Sequence, residues 1–228
     1  MALTNLFKKR IVIWGASGHA KVLHEFLGKL GYEIIAAFDN DTNAVSPIPN
    51  VPLYHGTDGF QRWKQQQSRP DKVRCLVAIG GWHGYTRLEI QRYLQSQGLI
   101  PAIAAHPASY VADTATCGPG SQILAGSVIG VDVQMGDACI VNTSASVDHE
   151  CRLGDGVHLA PGATIAGCVH IGNFSFIGAG TVVLPRVRIG NHCIIGAGST
   201  VTRDIPDGVV AYGNPAKVVR VNSEQHND

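Results

Sequence analysis

Charge is scarce in this chain. Asp, Glu, Lys and Arg make up 15% of its 228 residues, the formal net charge is +1 at pH 7, and there is no basic run. That balance excludes nucleic acid or an anionic membrane as the main partner. Long apolar runs are missing as well. Hydrophobic residues make up 45% of the chain, ample for a core, yet no segment approaches 18 uninterrupted apolar residues. The opening MALTNLFKKR lacks the apolar stretch of a signal peptide, so a cytoplasmic protein is expected. The six cysteines include no Cys-x-x-Cys pair, which removes the paired-cysteine zinc and redox signatures. Small, reduced core residues are expected, and no metal site.

What the chain has instead is a period. From Val111 to Pro206 it reads in sixteen hexads with no residue inserted or lost. The first position is Val, Ile or Leu in fourteen, with Cys117 and Met135 the exceptions. The fifth is Ala, Ser, Thr, Cys or Val in fifteen, and the second is Gly in eight. A fixed period of six marks a β-helix. Each hexad supplies one short strand and one corner, and three hexads make one coil, so residues eighteen apart stack. Positions five and one flank an outward residue and therefore both point inward, a large aliphatic beside a small side chain. Glycine at position two is expected to ease the corner dihedrals. Sixteen hexads predict about five coils, roughly 25 Å tall at strand spacing.

Residues 1–105 follow another rhythm. Ile11–Gly15 reads as a buried strand, Gly18–Leu30 as a helix with Ser17 as N-cap, and Tyr32–Asp39 as a second strand. That is a βαβ unit, and the region reads as a Rossmann-like α/β domain. Residues 40–56 are rich in Pro and Asn and read as loop. A short helix over 58–67, a strand over 75–80, a helix ending before Gly98 and a strand over 99–104 complete it. The turn after the first strand is Gly-Ala-Ser-Gly-His, not the full dinucleotide fingerprint. It still sets backbone N–H groups and a helix N-terminus where a phosphate can sit, with Gly15, Ser17 and Gly18 as the candidates. Asp39 ends the second strand, where a ribose- or base-binding acid is often found, and Gly80 and Gly81 end the third on the same edge. The β-helix domain is expected over 106–220, with 221–228 as a disordered tail.

Two prism histidines stand out. His149 is third in its hexad and sits at a corner, flanked by Asp148 and Glu150. His158 is sixth in the next hexad and faces outward from a strand. Nine residues is half a coil, so the prism core separates the two within one chain. They converge only if a corner of one copy packs against a face of another, which demands an oligomer and suggests a cyclic trimer. A site of His149 and Glu150 from one copy with Asn142 and His158 from its neighbour follows. A histidine beside a carboxylate is a candidate general base. A backbone N–H near Gly167, one coil above His149, can donate to an oxyanion. His170 and His192 read as surface residues. Three-histidine zinc geometry does not fit, because the gaps from His149 to His158 to His170 are nine and twelve.

The chain resembles the bacterial hexapeptide-repeat sugar acetyltransferases, in particular the group holding sialic-acid O-acetyltransferases and N-acetyltransferases of UDP-4-amino-4,6-dideoxy sugars. The resemblance runs from about Arg10 to Arg220. It rests on WGASGHAKV from Trp14, AFDN from Ala37, AIGG from Ala78, NTSASVDHECRLGDGVHLAPGATIAG from Asn142, and YGNPAK from Tyr212. It implies a left-handed parallel β-helix, acetyl-CoA as co-substrate, and a homotrimer with active sites between subunits. By the same resemblance, His149 is the base with Glu150 beside it. Asn142 and His158 lie near the thioester, and the Gly167 amide meets the thioester carbonyl. His19 lines the sugar end of the pocket and Asp39 the nucleotide base, with Asn40 where relatives often carry a second acid. Gly178, Ala179, Gly196, Ala197 and Lys217 are the implied contacts to the pantetheine. The expectation is an N-acetyltransferase acting on a nucleotide-linked amino sugar of the UDP-4-amino-4,6-dideoxy or GDP-perosamine type, by direct attack on the thioester. O-acetylation of sialic acid is the alternative within the class, and a non-catalytic binding module the alternative outside it.

Overall fold

In a computed structural model, which describes residues 8–223, the six-residue period becomes a left-handed parallel β-helix. The chain divides into two compact units. One runs up to Ile79 and takes in Glu89–Ala102; the other comprises Gly80–Leu88 and the chain from Ile103 onward. Nine residues that precede the rest of the second unit in sequence, Gly80–Leu88, thus group with the β-helix.

The first unit is a five-stranded parallel sheet of β1 (Lys9–Trp14), β2 (Tyr32–Asp39), β3 (Leu53–His55), β4 (Arg74–Val77) and β5 (Ile100–Pro101), in the order β3-β2-β1-β4-β5. Its helices are α1 (Gly18–Leu27), α2 (Gly56–Gln65) and α3 (Gly84–Ser96), the last shared with the second unit. The apolar run at β1 is buried because both faces of the sheet are covered. Phe38 is the centre of the aromatic core, with ring centroids 5.2 Å from Phe60, 5.4 Å from Trp63 and 5.5 Å from Trp14. The short strand β3 lies inside the segment read as loop. Its prolines and asparagines hid three residues that pair with the end of β2.

In the second unit the three faces of the prism are visible as three parallel sheets. The first face stacks strands at Tyr110, Val128, Ser146, Thr164, Val182 and Thr200. The second stacks strands at Thr116, Gln134, Arg152, His170 and Arg188. The third stacks Ala104, Gln122, Ile140, His158, Phe176 and Ile194, and is closed by Val209–Gly213 paired antiparallel with Ala216–Val221. From Ile123 to Val201 every first-position residue is buried, and so is every fifth-position residue from Ser121 to Ile205. Burial pushes the Cys139 thiol up to about 12 and the Cys151 thiol to about 11, so these core cysteines stay protonated. All six cysteines are free.

The second-position glycines serve a different purpose from the one expected. Positive φ occurs at the fourth position, at Asp132, Ala138, Ser144, Glu150, Cys168, Phe174, Arg186 and His192 and at several glycines. The second position is instead where one coil approaches the next. A Cβ on Gly178 would stand 2.5 Å from the Ala197 nitrogen, and one on Gly118 equally close to Gly136. The first residues of the tail expected from 221 are ordered. Val221 ends a strand, and Asn222 is buried, with its amide donating to the His192 carbonyl at 3.0 Å. Residues 224–228 of that expected tail lie outside the described residues.

Gly80–Leu88 is held to the third face by Arg87. Its side chain is fully buried, donating from Nε to the Ala138 carbonyl and from Nη2 to the Gly156 carbonyl, each at 2.7 Å. Burial lowers its pKa to about 10, which still leaves it charged at neutral pH. Arg87→Ala strands two buried carbonyls and is expected to lower unfolding stability by about 2–4 kcal/mol. A denaturant melt checks this.

Candidate functional site

In the first unit the turn between β1 and α1 needs its glycine. Gly15 has φ +110°, and a Cβ there would stand 2.5 Å from the Ala78 carbonyl oxygen. Asp39 holds this turn. Its Oδ2 accepts the Ala16 N–H at 2.6 Å and its Oδ1 the Asp41 N–H at 2.9 Å. Ser17 occupies the N-cap of α1 without a side-chain capping bond, and Ser17 and Gly18 are exposed. The helix N-terminus is thus open to solvent at Ser17 and Gly18, the place where an anion can approach its backbone. His19 lies in the first turn of α1, and Asn40 follows Asp39 on the surface. The strand order reverses between β1 and β4, the switch point at which such sheets bind ligands.

In the second unit one corner gathers four residues. His149 Nδ1 donates to Glu150 Oε2 at 2.9 Å. A carboxylate only accepts, so the proton is on Nδ1 and the Nε2 lone pair is free. Both side chains are open to solvent, 48% and 62% exposed. Nε2 sits over Gly167, where an added Cβ would be 2.5 Å away. Among the described residues no acceptor faces the Gly167 N–H. The corner is fixed by its own backbone. The His149 N–H donates to Asp148 Oδ1 at 2.8 Å, and the Cys168 N–H to the His149 carbonyl at 2.9 Å. Cys168, absent from the sequence-level site, brings its Sγ to 3.8 Å from Glu150 Oε2. Residues eighteen apart stack, so its position over Glu150 was available from the repeat.

His158 does occupy an outward strand position, but it is only 5% exposed, because Gly80–Leu88 lies over it. Its Nδ1 donates to the Gly81 carbonyl at 2.9 Å, which leaves Nε2 to accept from Asn142 Nδ2 at 3.2 Å. Asn142 is oriented in turn by the Thr143 N–H, donated to Oδ1 at 2.8 Å. The Phe176 ring stands edge-on to the imidazole, with centroids 5.3 Å apart. Both nitrogens of His158 are used, so it positions Asn142, whose second amide hydrogen remains to give. Gly80 and Gly81, read with the nucleotide crevice, belong to this unit, and the Gly81 carbonyl is spent on His158.

Asn142, Gly178, Ala179, Gly196 and Ala197 lie along one corner, between the third face and the first. Its small side chains make a smooth edge. Lys217 is exposed on the closing hairpin opposite Tyr212. The corner with His149 lies between the first and second faces. In one copy it is opposite the third face, so the structure brings together two separate groups: His149, Glu150, Gly167 and Cys168, and Asn142, His158 and Gly81.

Comparison with known proteins places both units. Residues 10–94 match the PglD N-terminal domain family, and residues 168–203 match the bacterial transferase hexapeptide (six repeats) family. The chain is similar to PerB from Caulobacter crescentus in complex with CoA and GDP-perosamine. They are 37% identical over 92% of this chain and 96% of that one, with a TM-score of 0.83. It is also similar to the acetyltransferase domain of PglB from Neisseria gonorrhoeae in complex with acetyl coenzyme A. There the identity is 30%, over 93% of this chain and all of that one, with a TM-score of 0.82. Among the described residues no helix is long and apolar enough to cross a membrane.

Proposed function

Since the chain belongs to the hexapeptide-repeat sugar acetyltransferases, we propose that this acyltransferase moves the acetyl group of acetyl-CoA to an amino group of a nucleotide-linked sugar, of the GDP-perosamine or UDP-4-amino-4,6-dideoxy type. The observation that carries the reading is the His149–Glu150 pair, with Nε2 over Gly167, whose N–H has no partner among the described residues. Acetyl-CoA supplies the acyl group as a thioester. His149 Nε2 takes the proton of the acceptor amine as it attacks, and Glu150 holds the ring and stabilises its protonated form. The Gly167 N–H donates to the carbonyl oxygen as charge builds there. His149 returns its proton to the departing thiolate.

The site is completed by a second copy in a cyclic trimer. The outward residues of the first face, Tyr110, Val128, Ser146, Thr164, Val182 and Thr200, include no charge, unlike the Arg152–His170–Arg188 column of the second. Tyr110 and Val128 are 60% and 42% exposed, an apolar surface that favours burial. First faces packed around a threefold axis set the His149 corner of one copy against the Asn142–Gly178–Ala179 corner of the next.

Gly167→Ala tests the corner. The backbone at Gly167 has no positive φ, so alanine fits the chain but meets the imidazole. A ring displaced by about 1 Å is expected to lower kcat by roughly 100-fold with unchanged folding. The function itself is tested by thiol release from acetyl-CoA with GDP-perosamine, a UDP-4-amino-4,6-dideoxy sugar and free sialic acid in parallel. Turnover of either nucleotide sugar supports the reading, and turnover of sialic acid alone overturns it.

A further inference from the structure

We infer that His149, Glu150 and Cys168 form a binding site for a zinc-type divalent cation that shuts the enzyme off. One ligand atom from each, the imidazole Nδ1, a carboxylate oxygen and the thiol Sγ, lie within 4.8 Å of one another. Nδ1 and Sγ are 2.9 Å and 3.8 Å from the same carboxylate oxygen, Oε2. A tetrahedral ion with bonds of about 2.0–2.3 Å holds its ligand atoms roughly 3.3–3.8 Å apart, so side-chain movement of less than about 1 Å closes the set. Nitrogen, carboxylate and sulfur together select zinc over magnesium or calcium, which prefer oxygen alone. Three protein ligands leave one position open for water.

The ligands are preset by the fold. Glu150 and Cys168 are fourth-position residues on successive coils, both with left-handed backbone, and the Cys168 N–H is tied to the His149 carbonyl. The corner also borders a recess of about 360 Å³ lined by Asp132, Gln134, Glu150, Arg152, Cys168 and His170, which gives an ion a way in. Cys168 takes no step in the acetyl transfer derived above, so this ligand can be removed while the His149–Glu150 pair stays in place.

Binding has a definite proton balance. The cation takes the Nδ1 lone pair of neutral His149, and the ring proton moves to Nε2. The Cys168 thiol gives up its proton to solvent and ligates as thiolate. One proton is released in all, and the lone pair needed to accept the amine proton is gone.

Inhibition rests on His149 being the base; binding does not. The test is a zinc titration of the full chain at buffered free zinc, with acetylated product measured by chromatography because the CoA thiol itself binds zinc. Cobalt is titrated in parallel and followed by its sulfur-to-metal charge-transfer absorbance. Expected are inhibition reversed by a chelator and a cobalt–sulfur band in the wild type. Cys168→Ala, scaled to its own zinc-free rate, should lose the band and need roughly 30-fold more zinc for half-inhibition. Equal zinc sensitivity of wild type and Cys168→Ala overturns the proposal, as does the lack of a band. A band with full activity overturns the shut-off. If the wild type transfers no acetyl group, the functional reading fails, while the cobalt spectrum still decides the site.

Discussion

His149→Ala is expected to lower kcat by about 100- to 10,000-fold, the usual range for loss of a general base. Acetyl-CoA binding should stay within a few-fold of wild type, because the side chain at this corner is exposed and supports no core contact. Glu150→Gln keeps a hydrogen-bond partner for Nδ1 but removes the charge that stabilises the imidazolium, so its loss should be smaller, on the order of tenfold. Steady-state kinetics with isothermal titration of acetyl-CoA separates the two quantities. A large rise in KM with kcat intact would assign His149 to binding instead.

The second large effect is on assembly. Thr164→Glu places one carboxylate per copy in the middle of the first face, where the outward column carries no charge. In a trimer three of them converge, and leaving water costs several kcal/mol per unpaired ion. Thr164 points away from the prism core, so the single chain should fold as before. The expected result is a folded monomer by light scattering and circular dichroism, with activity down by more than about 100-fold because no site is complete. A Thr164→Glu protein that is monomeric and fully active would place the whole site in one chain.

Much of this was legible in residue order. The hexads give the inward positions from Ile123 to Val201 and the stacking of Gly167 on His149, because a strand alternates with period two and a coil repeats at eighteen. The corner dihedrals were misplaced. A glycine signals both freedom of φ and the absence of a side chain, and at position two it is the second property that the next coil requires. The cover over His158 was not legible. It depends on Gly80–Leu88 folding onto the third face through Arg87, a contact between residues 51 and 69 positions apart that no local pattern announces. For the same reason the bond from His158 to the Gly81 carbonyl was not legible. Asp39 stands where a ribose or base contact was expected, but its carboxylate also fixes the turn that presents Ser17 and Gly18.

The account's central claim is that one acetyl-transfer site is built from two copies of the chain, His149 from one and Asn142 from the next. It is tested most directly by mixing two weakened variants, His149→Ala and Asn142→Ala, under conditions that allow subunits to exchange. In each hybrid an intact His149 corner can face an intact Asn142 corner, so random mixing at equal amounts should restore about a quarter of wild-type activity. If the mixture shows no more activity than its two components measured separately, while exchange is demonstrated by mass, both residues act within a single chain and the shared site is wrong.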